Sequence, residues 1–144
     1  MNQTNDLKMK EEKHQEIIKE VLDEIESSLK DKRGLISHQR RLAFIIPLGA
    51  ANTLELYFHK SNVIKEGSVV NHLWFKRKKE KIVNQLQNQL TSPIESLSEI
   101  NKILEIIIKI EEKRDDLAYG APASEKILQE KINLFFELKK LTKC

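Results

Sequence analysis

Apolar residues recur every three or four positions in four separate segments of this chain, and little between them could turn a strand. Ile17, Ile18, Val21, Leu22, Ile25 and Leu29 form one stripe, and the run from Leu42 to Phe58 is the most apolar of all. A third stripe runs from Ile94 through Ile100, Leu104 and Ile107 to Ile110; the fourth joins Ile127, Leu128, Leu134, Phe135, Leu138 and Leu141. This period belongs to helices that bury a face. Four Gly and three Pro are too few for the turns of a β-rich fold. The expected class is all-α: an antiparallel four-helix bundle with an additional shorter helix. The 144 residues suit one domain, 1–144, with a core of its own and a frayed start over 1–5.

The first helix is predicted over about 6–32, stopped by Gly34. The second is predicted over 36–60, with a kink or a late start imposed by Pro47. A loop turning at Gly67 leads to a third helix over 71–90, basic and exposed. The fourth carries a start signal: Ser92 as cap, Pro93 at the first helical position and Glu95 completing a capping box. It should run to Ala118, before the break at Gly120 and Pro122. The last helix is expected over 124–141.

Hydrophobic residues are 40% and charged residues 33% of the chain, which excludes a disordered tail. Net charge is only +3, from 25 basic and 22 acidic residues, too little to argue nucleic-acid binding by itself. The stretch 42–58 is broken by Pro47, Asn52 and Glu55, so no bilayer span is expected. With one cysteine, Cys144, and a polar start, a cytoplasmic protein is expected.

Three places could carry chemistry. At the end of the fourth predicted helix, Arg114, Asp115, Asp116 and Tyr119 gather beside a break and could hold a phosphate or a base. An Arg at a helix C-terminus is also simply favoured by the helix dipole. On the second helix Asn52, Glu55 and His59 share one face. A carboxylate there requires a cation, so Glu55 is expected to face the interior and to pair with Arg114 or a nearby cation. The Glu55–His59 spacing suits a metal, but further ligands are not evident, so no metal site is expected. Third, His72, Trp74 and Phe75 precede Lys76, Arg77, Lys78 and Lys79. Aromatics beside cations can bind single strands, although core anchoring of Trp74 and Phe75 explains them more simply. No Gly-rich phosphate loop is present, and no cofactor is expected.

Arg114-Asp115-Asp116-Leu117-Ala118-Tyr119-Gly120 resembles the late-helix motif of the HEPN superfamily, in which an Arg and a polar residue are followed at short range by His. The upstream helix with Glu55 and His59, and the loop to Asn71 and His72, are similar to the family as well; the likeness covers about 35–141. The resemblance implies a helical bundle with Arg114 as phosphate binder. Tyr119 stands in place of the family's His, and a phenol of pKa about 10 is a poor base at neutral pH. The function this implies is a non-catalytic module for nucleotide, RNA or a nucleotidyltransferase-type partner, with Arg114, Asp115, Tyr119, Glu55, His59, His72 and Arg77 as binding residues. The alternatives are a toxin-like, metal-independent ribonuclease using Arg114 and Tyr119 or a nearby His, and a purely structural or protein-interaction bundle. A homodimer is expected, both from the family and from the apolar surface of the second and fourth helices.

Overall fold

The computed structural model describes residues 3–144, with side chains from Lys10 onward. The stretch expected to fray, 1–5, therefore lies outside the described residues at 1–2, and α1 is helical from Gln3. The chain is all-helical: among the described residues there is no strand, only an isolated bridge between Ile64 and Leu90. The helices are α1 (Gln3–Lys30), α2 (Gln39–Lys60), α3 (Lys79–Gln87), α4 (Ile100–Glu111), α5 (Arg114–Tyr119) and α6 (Glu125–Thr142). Short 3-10 turns, Leu35–His38, His72–Lys76 and Ile94–Ser96, lie between them. Among the described residues, no helix is long and apolar enough to cross a membrane.

The apolar stripes become one core. From α1 come Ile18, Val21 and Ile25; Leu29 is exposed and Ser28 is buried in its place. Ser28 tolerates burial because its hydroxyl donates to the Glu24 carbonyl at 2.7 Å. The central helix is α2, which packs against α1, α4, α5 and α6. Gly49 makes one of these approaches possible, since a Cβ there would lie 2.9 Å from the Phe135 ring. Contacts at the helix ends set the directions. His14 meets Asn52 while Glu24 meets Arg41, so α1 runs against α2. Tyr57 donates to the Ser98 carbonyl while Gln39 donates to that of Leu117, so α4 and α5 also run against α2. Gln39 further accepts from Ala123 N–H at 2.7 Å, placing the start of α6 beside the start of α2.

Several boundaries differ from the sequence reading. A 3-10 turn precedes α2, which then passes through Pro47 without ending. Glu125 sets that turn from a distance, because its carboxylate accepts the N–H groups of Leu35 and Ile36 at 2.9 and 3.0 Å. The expected third helix is instead a turn over His72–Lys76 followed by nine residues of α3. Ser92 does not cap. Gln87 takes that role, accepting from Ile94 N–H and donating to the Ser92 carbonyl, and only a turn forms before Ile100.

The long fourth helix also divides, at Glu112 and Lys113. Lys113 is left-handed (φ 60°), which costs a non-glycine residue about 1 kcal/mol. Lys131 from α6 compensates. Its ammonium donates to the carbonyls of Lys109, Ile110 and Glu112 at 2.5, 3.2 and 2.6 Å, satisfying groups that a helix end leaves open. Ser124 caps α6 as its position suggests, accepting from Ile127 N–H at 3.2 Å. Cys144 is not a loose end: its N–H donates to the Lys139 carbonyl and it packs against the core.

Candidate functional site

The turn between α4 and α5 aims Arg114 at the 3-10 turn His72–Lys76. The guanidinium is largely buried. Its Nε donates to Glu111 Oε1 at 2.8 Å, and its Nη2 forms an ion pair with Asp115 Oδ1 at 3.1 Å. Asp115 reaches on to Lys76 Nζ at 3.1 Å, so one exposed carboxylate bridges two cations. Phe75, Lys76, Arg77, Glu111, Arg114 and Asp115 line a groove of about 340 Å³ here. Phe75 is a core residue, 3% exposed, and Trp74 packs against the core half-buried; both anchor the turn that presents the cations.

Glu111 is buried next to Arg114. Burial pushes its carboxyl above the usual value, and the Arg114 hydrogen bond offsets that only in part. His72 is driven the other way. Burial lowers its affinity for a proton, and the charges of Arg114 and Lys76 lower it further, so a neutral imidazole stands near the guanidinium.

Glu55 lies elsewhere, and the expected pair with Arg114 does not form. The carboxylate faces the interior, where Oε2 is in direct contact with His14 Nε2 from α1. His59, one turn further along α2, brings its Nε2 to 3.7 Å from the same oxygen. The other oxygen, Oε1, accepts the Val70 N–H at 2.6 Å. Arg114 has no reason to travel to Glu55, because Glu111 on the preceding turn already satisfies it. Burial alone would raise the Glu55 carboxyl, but hydrogen bonds from His14 and Val70 hold it below the ordinary value. His14 is raised, burial being outweighed by Glu55 and Asn52. His59 is lowered by burial.

Tyr119 belongs to neither place. It is 72% exposed and stacks edge-on against Phe44 at 5.8 Å. It stands five positions after Arg114, which turns the two side chains to different sides of α5, and it does not line the groove at Arg114. The predicted binding residues thus fall into three groups: Arg114, Asp115, Arg77 and His72 at the α4–α5 turn, Glu55 and His59 between α1 and α2, and Tyr119 on the surface. His14 escaped the sequence reading. Its signal was available, since His14 stands four residues before Ile18 and extends the buried stripe Ile18, Val21, Ile25.

No family model, curated protein or solved structure matches this chain.

Proposed function

We propose that this chain is a non-catalytic, HEPN-like binding module, an antiparallel four-helix bundle in which α3 is the additional short helix. Its ligand carries phosphate, as nucleotide or RNA, and occupies the groove between Lys76, Arg77 and Arg114. One observation carries the reading: the Asp115 carboxylate bridges Lys76 and Arg114. An anion already occupies the position a phosphate oxygen would take. Asp115 is 60% exposed on its side chain, and exposed ion pairs contribute about 0–1 kcal/mol, so a phosphate can displace it. Glu111 fixes the guanidinium while using one of its five donors. Buried Phe75 and half-buried Trp74 keep the opposite wall in place.

A second reading, a metal-independent ribonuclease, is favoured by His72. A neutral imidazole near a guanidinium is the proton carrier that Tyr119 cannot replace. Both readings are tested in one titration of labelled single-stranded RNA and of ATP, with gel analysis of the RNA. The expected outcome is binding without cleavage, weakened in Arg77→Ala and Lys76→Ala. Cleavage that disappears in His72→Gln promotes the ribonuclease. Absence of binding to either ligand leaves the module without its proposed role and favours protein interaction.

The assembly we propose is a cytoplasmic homodimer, with a nucleotidyltransferase-type protein as a further partner. Support for the dimer comes from α2, where Phe44 and Leu48 are one turn apart and 44% and 42% exposed, with Phe44 against Tyr119. The face of α4 gives none, since nearly all its apolar side chains are already buried.

A further inference from the structure

We propose that His14, Glu55 and His59 form a binding site for one divalent first-row transition-metal ion, of which Zn²⁺ is the test case. The three donor atoms, two imidazole nitrogens and a carboxylate oxygen, lie within 4.8 Å of one another. Zn²⁺ binds such atoms at about 2.0–2.2 Å in tetrahedral array, which separates neighbouring ligand atoms by about 3.4 Å. The 3.7 Å between His59 Nε2 and Glu55 Oε2 is close to that separation, whereas His14 Nε2 and Glu55 Oε2 are in direct contact and must move apart to admit the ion.

The surroundings argue for a cation at this point. Asn52 Nδ2 donates to the Leu48 carbonyl at 2.9 Å, which fixes the amide with Oδ1 toward His14. That oxygen lies 2.7 Å from His14 Nδ1, so Nδ1 carries a proton and donates. Neutral His14 then offers a lone pair at Nε2, directly against a carboxylate lone pair. Two lone pairs in contact repel unless a proton lies between them, or a metal ion parts them and binds both. His59 Nε2 points to the same place, with its side chain 2% exposed and no hydrogen-bond partner for that nitrogen among the described residues. A single proton between His14 and Glu55 leaves this buried nitrogen unsatisfied; a metal ion satisfies all three groups.

The supporting shell is also that of a ligated site. Metal-bound imidazoles donate their second N–H to an oxygen, and ligating carboxylates are themselves hydrogen-bonded. Asn52 does the first for His14, and Val70 N–H does the second for Glu55. Nitrogen with one carboxylate oxygen selects zinc-like ions over calcium and magnesium, which take oxygen ligands. Three protein ligands leave a fourth position.

The test is isothermal titration of chelator-stripped full-length protein with Zn²⁺, with circular dichroism to confirm the fold of each variant. The expected result is one equivalent bound in the parent. Loss of an outer-shell partner costs ~10–100-fold in affinity, so Asn52→Ala should weaken binding within that range, and His14→Gln and His59→Gln should each weaken it by at least the upper limit. His72→Gln, outside the cluster, should bind as the parent does. The Co²⁺-loaded parent should show visible absorption that His59→Gln lacks. No binding by the parent, or loss in only one of the two ligand variants, overturns the proposal and leaves a proton-bridged His14–Glu55 pair.

Discussion

Glu55 on α2 and Glu111 at the end of α4 are buried almost equally, 4% and 6% exposed, yet they are stabilised in opposite ways. Glu111 has a permanent cation, Arg114, on its own stretch of chain. Glu55 has two imidazoles, one from another helix, and a backbone N–H. Burial raises both carboxyls, but the Glu55 partners reverse the shift while Arg114 does not fully reverse that of Glu111. The lesson is that a buried carboxylate does not by itself identify a site; the chemistry of its partner does. A guanidinium cannot lose its proton or ligate a metal. An imidazole can do both.

This contrast is broken most directly by Arg114→Ala. Removing one partner of a buried ion pair costs about 3–5 kcal/mol, and urea unfolding should show a loss of that order. The double variant Arg114→Ala, Glu111→Gln should recover much of it. Next comes Lys131→Met, which removes three hydrogen bonds to carbonyls at the α4–α5 turn. Charge-assisted bonds contribute about 1.5–3 kcal/mol, so a loss near 2 kcal/mol is expected in the same assay. His14→Ala should cost less, about 1 kcal/mol, because Glu55 keeps the Val70 N–H and His59. A loss as large as that of Arg114→Ala would erase the distinction between the two carboxylates.

The pH dependence sharpens it further. Glu111 is raised in the folded state, so from about pH 4.5, where the unfolded carboxyl releases its proton, up to its folded value the native protein holds more protons than the unfolded chain. Stability falls with rising pH in that window. Glu111→Gln cannot titrate, so the parent should lose stability relative to this variant as pH rises through the window. Urea midpoints across that range check the sign; a parent gaining on the variant contradicts the assignment.

The all-helical class was legible because four stripes agreed on one period and turn residues were scarce. Ends and pairings were less so. Nothing local marks Lys113 as left-handed, since the stop depends on Lys131 from α6. Gln87 replaced Ser92 as cap through a contact seven residues long, beyond the reach of capping-box reasoning. The candidate site was half legible. Spacing along α2 put Glu55 and His59 on one face, but the partner of Glu55 came from α1, and only the inter-helix register decides between His14 and Arg114. Arg114 itself was found from its motif, whereas its association with Lys76, Arg77 and His72 needs the return of the loop 61–71, which Glu55 holds through Val70.

The groove at Arg114 is tested most directly by Asp115→Asn. If Asp115 occupies the position of a ligand phosphate, removing its charge takes away a competitor while Lys76, Arg77 and Arg114 remain. Fluorescence anisotropy with labelled single-stranded RNA should then show tighter binding for Asp115→Asn than for the parent, by several-fold, consistent with displacing an exposed pair of about 0–1 kcal/mol. Equal or weaker binding by the variant would mean that Asp115 does not stand in for a phosphate, and would contradict the account.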